Sequence, residues 1–239
     1  MNRSKPVCLC SSSLPEEMLG SLEKDFRVIP LPPDSTVDAP VSCHPDMICS
    51  VMDSTVFFHR SYAEAYPSVI SEIQIAGGYR TVLTSEKREK AYPLDISLNA
   101  AVLPDTIVCR AEYTSPDIIR AASESGRKVV SVRQGYSACS SLVCGRSVLT
   151  TDRGIHRSLI SEGFDCTYIQ NSGISLPGYD CGFIGGCGGI YERSLYLFGC
   201  EDCLDDRDTL RQFAEKNGLA IVNLGNAPLT DYGGLKFLS

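Results

Sequence analysis

The 239-residue sequence predicts an α/β fold of five repeated units closed around an axis, a five-repeat pseudo-symmetric α/β propeller in a single domain. Three observations predict it. A helical stretch, usually a glycine stop, and a short β-branched strand recur along the chain, about every 40–55 residues, the range of propellers and solenoids. After each of those strands comes a small, polar or Gly-rich segment that leads through a tight turn into another strand. No unit reads as a cap, and an uncapped open array would expose two apolar ends. A doubly wound sheet, which also alternates helix and strand, is the competing arrangement.

The units fall at approximately 1–60, 61–110, 111–151, 152–199 and 200–239. In the first, a helix over Pro15 to Asp25 runs without a glycine into the strand Phe26-Arg27-Val28-Ile29. Cys43-His44-Pro45-Asp46-Met47 follows, then a strand through Phe57-Phe58. In the second, Tyr66 to Ala76 is stopped by Gly77-Gly78 before Tyr79-Arg80-Thr81-Val82-Leu83. Its inner segment is Tyr92 to Asn99, followed by Pro104 to Val108. The third has a helix over Ser115 to Glu124, with Ile118, Ile119 and Ala122 on one side, Gly126, and the strand Lys128 to Val132. Gly135 to Ser140 is its inner segment. In the fourth, Asp152 caps a helix that Gly163 ends, and Cys166 to Ile169 is the strand; Gly182 to Gly189 is the inner segment. The fifth has Asp206 to Lys216, the C-cap Asn217-Gly218, the strand Leu219 to Leu224, and a last segment Thr230 to Phe237. The inner segments are small because five strands meeting at an axis leave little room for side chains.

Composition narrows the function classes. The formal net charge of −7 argues against a nucleic-acid surface, which needs a basic face. No segment reads as a signal peptide or reaches the roughly 18–20 apolar residues of a membrane helix, so a cytoplasmic chain with reduced cysteines is expected. Cys200-Glu201-Asp202-Cys203 lacks a second pair at zinc-ribbon distance, and the flanking acids suit the start of a helix better than a thiolate site. Gly185-Gly186-Cys187-Gly188-Gly189 lacks the spacing of a phosphate loop.

With a helix–Gly–strand unit, a Gly-rich inner strand and a hairpin repeated five times, the chain resembles the pentein fold. Within it the chain is most similar to the guanidino-group-modifying enzymes, which include arginine deiminases, amidinotransferases and dimethylarginine hydrolases. That resemblance implies a cysteine nucleophile, a histidine acid/base and carboxylates that grip a guanidinium by bidentate hydrogen bonds. The family's cysteine follows a Gly-Gly pair near the C-terminus, where this chain has Gly233-Gly234-Leu235-Lys236-Phe237, with Phe237 about at the cysteine's place. The family's histidine follows the inner strand of the fourth unit, where this chain has Gly188-Gly189-Ile190-Tyr191-Glu192.

In the expected register the inner strands present His44, Asp46, Asp95, Asn99, Cys139, Cys187 and Asp231 to one cavity. Cys187 is the first candidate nucleophile, since its flanking glycines would expose its sulfur; Cys139 is the second, and either could instead be a small packing residue. His44 would be the acid/base, with Asp46, Asp95, Asn99 and Asp231 binding the substrate. The expected function is binding of a small guanidino or amidino cation in a central cavity, without cofactor, by a protein similar to a Cys-dependent C–N hydrolase or transferase. The alternatives are an inert ligand- or partner-binding protein, and a thiolate metal site formed by His44, Cys139 and Cys187.

Overall fold

Five short, largely apolar runs bury both their faces in the same way. Each is the middle strand of a three-stranded sheet, antiparallel to an inner strand and parallel to an outer one. The structure, a computed structural model, describes residues 5–238. The chain starts with the middle strand β1 (Val7–Ser11), buried along its whole length, and α1 (Glu16–Leu22) returns it to the outer strand β2 (Arg27–Leu31). Helix α2 (Pro45–Ile48) then leads into the second sheet, whose inner and middle strands are β3 (Cys49–Met52) and β4 (Thr55–His59). Helices α3 (Arg60–Ala65) and α4 (Pro67–Gly77) carry the chain to β5 (Arg80–Thr84). Helix α3 is not anticipated by the repeat: Tyr62 is drawn inward to stack on Phe58 at 5.7 Å, and Pro67 starts a new helix.

The third sheet has inner β6 (Ala101–Val102), middle β7 (Thr106–Cys109), helix α5 (Pro116–Glu124) and outer β8 (Lys128–Ser131). The fourth has β9 (Ser141–Cys144), β10 (Ser147–Thr150), α6 (Arg153–Ser161) and β11 (Asp165–Tyr168). The caps are those the sequence announces: Ser115 Oγ accepts from Asp117 N, and Asp152 Oδ1 accepts from Ile155 N at 2.7 Å. Gly126 and Gly163 end these helices at φ of 77° and 78°, a conformation that favours glycine. The fifth sheet has β12 (Gly188–Tyr191), β13 (Ser194–Leu197), α7 (Arg207–Lys216) and β14 (Ala220–Asn223). The chain ends in β15 (Lys236–Leu238), which pairs antiparallel with β1, Val7 opposite Leu238 and Leu9 opposite Lys236. The last strand of the chain is thus the inner strand of the first sheet, and the ring is closed.

Apolar clusters fill the wedges between neighbouring sheets and under the helices; one joins Leu142, Leu149, Leu195, Leu197, Leu210 and Phe213. At the axis only small residues fit. A Cβ on Gly185 would lie 2.3 Å from the carbonyl oxygen of Ala138 and 2.6 Å from those of Cys139 and Ser141. No helix among the described residues is long and apolar enough to cross a membrane. Two glycines separate axis crowding from ordinary helix propensity. Gly185→Ala should cost about 3 kcal/mol or more in urea unfolding, as overpacking against backbone does. Gly20→Ala, in α1 with no atom within 4 Å of the added Cβ, should stabilise by about 0.5–1 kcal/mol.

Candidate functional site

The expected site residues do not lie on the inner strands. They lie on the segments that deliver the chain to those strands, because the strands themselves are filled by small and apolar residues. Pro45 opens α2, and the His44 carbonyl accepts from Met47 N and Ile48 N at 3.0 Å each. Asp46 N donates to Gly233 O at 3.1 Å, which ties α2 to the last loop. Gly233 has φ of 80°, and a Cβ there would meet His44 Cβ at 2.3 Å. In the same loop Asp231 is clamped: Oδ2 accepts from Phe183 N at 2.9 Å and Oδ1 from Gly233 N at 3.0 Å. Gly186 leaves it room, since a Cβ there would fall 1.8 Å from Asp231 Oδ1.

His44, Cys139 and Asp231 line one cavity of about 280 Å³. Tyr136, Phe183 and Val41 form its walls, and Tyr179, Asp180 and Cys181 bring a strap across its mouth. Tyr179 OH donates to Asp38 Oδ2 at 2.9 Å and holds that strap to the loop before α2. No lysine or arginine lines the cavity.

Asp46 stands behind the cavity, 1% exposed, with the Cys139 thiol and the N–H groups of Asp46 and Met47 nearby, but neither carboxylate oxygen forms a well-aligned hydrogen bond among the described residues. Burial pushes the Asp46 carboxyl up to about 6, against the pull of Lys236. Burial, and then repulsion from Asp46, pushes Asp231 up to about 7. The two carboxyls titrate as a pair. Burial holds His44 down at about 4, so its ring is uncharged at neutral pH; its 3.6 Å approach to Asp231 Oδ1 is a neutral contact, not an ion pair. Burial raises the Cys139 thiol well above its ordinary value, and the nearby Asp46 and Asp231 charges add to the rise. The resting sulfur is therefore a protonated thiol.

The remaining expected residues are elsewhere or otherwise occupied. Cys187 is in the apolar cluster with Leu195 and Leu197, fully buried, and donates to Phe183 O at 3.2 Å. Its flanking glycines make room for the Asp231 carboxylate and the Tyr196 carbonyl, not for substrate, and burial raises its thiol well above the usual range. His44, Cys139 and Cys187 consequently form no metal site, and no group of three metal-ligating side chains is assembled among the described residues. Asn99 spends its amide as a staple: Nδ2 donates to Asp46 O at 3.0 Å and to Cys139 Sγ at 3.0 Å, while Oδ1 accepts from Ala138 N at 2.8 Å. Asp95 acts one layer back, its Oδ2 accepting from Tyr136 OH at 2.7 Å. Phe237 packs on Phe26 and Tyr191, with no part in the cavity.

Two contributors carry no signal in the sequence. Arg88, inside the charged run Lys87-Arg88-Glu89-Lys90, is fully buried and pairs with Asp34 at 2.8 Å. It also donates to Met47 O and Asp95 O, joining α2 to the inner segment of the second unit. A charged run reads as a solvated face, and only the folded loops show which member turns inward.

Comparison with known proteins follows this geometry. A family model described as "Family of unknown function (DUF6873)" matches residues 9–236. No curated protein matches the chain. Among solved structures, the chain is similar to a histidine-to-glycine variant of dimethylarginine dimethylaminohydrolase in its adduct with S-methyl-L-thiocitrulline. The TM-score is 0.59 at 11% identity, over 92% of each chain. It is also similar to an amidinotransferase of the saxitoxin biosynthetic pathway from Microseira wollei, with a TM-score of 0.55 at 10% identity over 91% of this chain and 74% of that one. A third is the inosamine-phosphate amidinotransferase of Streptomyces griseus, TM-score 0.55 at 15% identity over 92% and 77%. These likenesses show the pentein fold.

The carboxyl pair has a consequence for stability. The folded values of Asp46 and Asp231 lie above the ordinary 3.8, so between about pH 4 and 7 the native state holds protons that the unfolded chain has lost. Their joint contribution therefore falls as pH rises through that window, by an amount on the order of 2 kcal/mol or more. His44, held at about 4, adds stability as pH rises towards 6.5 and opposes part of this fall. Urea unfolding from pH 4 to 8 should show the net decline, and Asp46→Asn should flatten it. An unchanged slope in the variant would show that Asp46 is not the strained group.

Proposed function

Since the chain belongs to DUF6873, a family of unknown function, its own cavity is the guide to its activity, and we propose that the cavity binds a small planar cation of the guanidine or amidine type. One observation carries this reading. The Asp231 carboxylate lines a cavity with no lysine or arginine, and a second buried carboxylate, Asp46, stands behind it with neither oxygen in a well-aligned hydrogen bond or ion pair among the described residues. A buried charge of that kind is costly until a cation compensates it. The aromatic walls suit the same ligand, because a guanidinium face stacks on tyrosine and phenylalanine rings. The structural relatives, amidinotransferases and a dimethylarginine dimethylaminohydrolase, are named for groups of this class, which supports the reading.

A second reading, turnover, is favoured by the Cys139 thiol and the His44 ring sharing the cavity with Asp231. In it Cys139 Sγ bonds to the central amidinium carbon while His44 relays the thiol proton to the leaving nitrogen. The C–N bond breaks, the amine leaves neutral, and water hydrolyses the S-linked thiouronium to a urea product, the thiol and a proton. The protonated resting thiol makes binding the conclusion and turnover the extension.

Calorimetric titration with guanidinium and with alkylguanidines should give saturable binding that tightens from pH 5.5 to 8 as the carboxyls ionise. Asp231→Asn should weaken it about tenfold or more, the loss expected for a charge-assisted hydrogen bond. Binding that is absent, or unchanged in Asp231→Asn, would contradict the proposal. Release of an amine that stops in Cys139→Ala, with binding retained, would establish the second reading.

A further inference from the structure

A second cavity of about 240 Å³ is lined by residues of all five inner strands and by residues just before them. One level of this cavity can be followed around the ring. Lys236 pairs with Leu9, Ser50 with Phe57, Ala101 with Val108, Leu142 with Leu149 and Gly189 with Tyr196, each partner being the third residue of its middle strand. Four of the five positions are neutral, and Lys236 is the one charged residue lining the cavity. Ser50 is at the same level in the neighbouring sheet.

Two unmet groups meet here. Lys236 lines the cavity and makes no ion pair and no side-chain hydrogen bond among the described residues. Ser50 is 3% exposed, and its buried hydroxyl has no hydrogen-bond partner among the described residues. A buried hydroxyl left unpaired costs free energy, and a lone lysine is a point-charge binder of oxyanions. At this level Ala101 adds only a methyl group and Gly189 no side chain.

We propose that this second cavity binds a small tetrahedral oxyanion, a phosphate, a sulfate or a phosphomonoester head, held by the Lys236 ammonium and the Ser50 hydroxyl. Lys236 acts on Asp46 without forming an ion pair with it, so the anion supplies the direct contact that the ammonium lacks. A carboxylate is a poorer match, because its planar edge is best met by the fork of an arginine. The site uses none of the residues that line the cation cavity, so the two readings stand separately.

Calorimetry of the full chain with inorganic phosphate and with methyl phosphate, at constant ionic strength set by potassium chloride, tests this. One saturable site is expected, with binding about tenfold or more weaker in Lys236→Met, retained in Lys236→Arg and weakened in Ser50→Ala. Both ligands binding supports a phosphomonoester head, and inorganic phosphate alone supports the free ion. No binding to the wild-type chain, or equal binding by Lys236→Met and wild type, would overturn the proposal. If Lys236→Met does not fold, Lys236→Gln and Ser50→Ala decide it in the same way.

Discussion

The pairing of β15 with β1 is the constraint on which the other features depend. It takes the last strand of the chain into the first sheet, so that every sheet has an inner strand and the ring has no free end. Five inner strands then have to meet at one axis, and the backbone atoms of neighbouring strands come too close for most side chains. Gly185, Gly186 and Gly188 are where they are because a Cβ at each would fall within 2.6 Å of another residue's oxygen. The side chains of the first cavity are therefore displaced from the strands to the segments before them. Those segments collect His44, Cys139 and Asp231 around one cavity, while Lys236 and Ser50, on inner strands β15 and β3, line a second.

That displacement also sets the electrostatics. Turns that approach an axis from several units carry their polar groups into a buried place, and the backbone can satisfy only some of them. Asp231 receives two backbone N–H groups and Asn99 is wholly consumed in joining α2 to the turn before β9. Asp46 forms no well-aligned hydrogen bond among the described residues. Arg88 and Asp34 show the alternative outcome, a buried charge pair that braces α2 from behind, with Arg88 Nε left without a partner among the described residues. The same fold thus contains a carboxylate compensated by the protein and one left for something else to compensate. The second kind raises its own proton affinity and lowers the stability of the unliganded chain, a trade expected of a binding site rather than of a packing residue.

Much of the fold was legible because the repeat is written in local signals. Ser115, Asp152, Gly126 and Gly163 are caps and stops whose physics does not depend on distant residues, and the helices they bound lie where the spacing puts them. The site was legible only in part. His44-Pro45-Asp46 and the small segments marked the right end of the axis, and His44, Cys139 and Asp231 do share a cavity. Cys187 was misplaced because flanking glycines report crowding but not direction, and a shift of one residue turns a strand side chain to the other face. Asn99 and Asp95 lie near the cavity, yet their bonding partners come from other units, which no local spacing reveals. Arg88 was hidden for the same reason.

The most direct test of the account is a carbon-13 NMR titration of the side-chain carboxyls, with and without guanidinium chloride at matched ionic strength. The account requires Asp46 and Asp231 to titrate above the other carboxyls in the free protein, and both midpoints to fall when guanidinium is added. Midpoints near the ordinary 3.8, or raised midpoints indifferent to the cation, would contradict it.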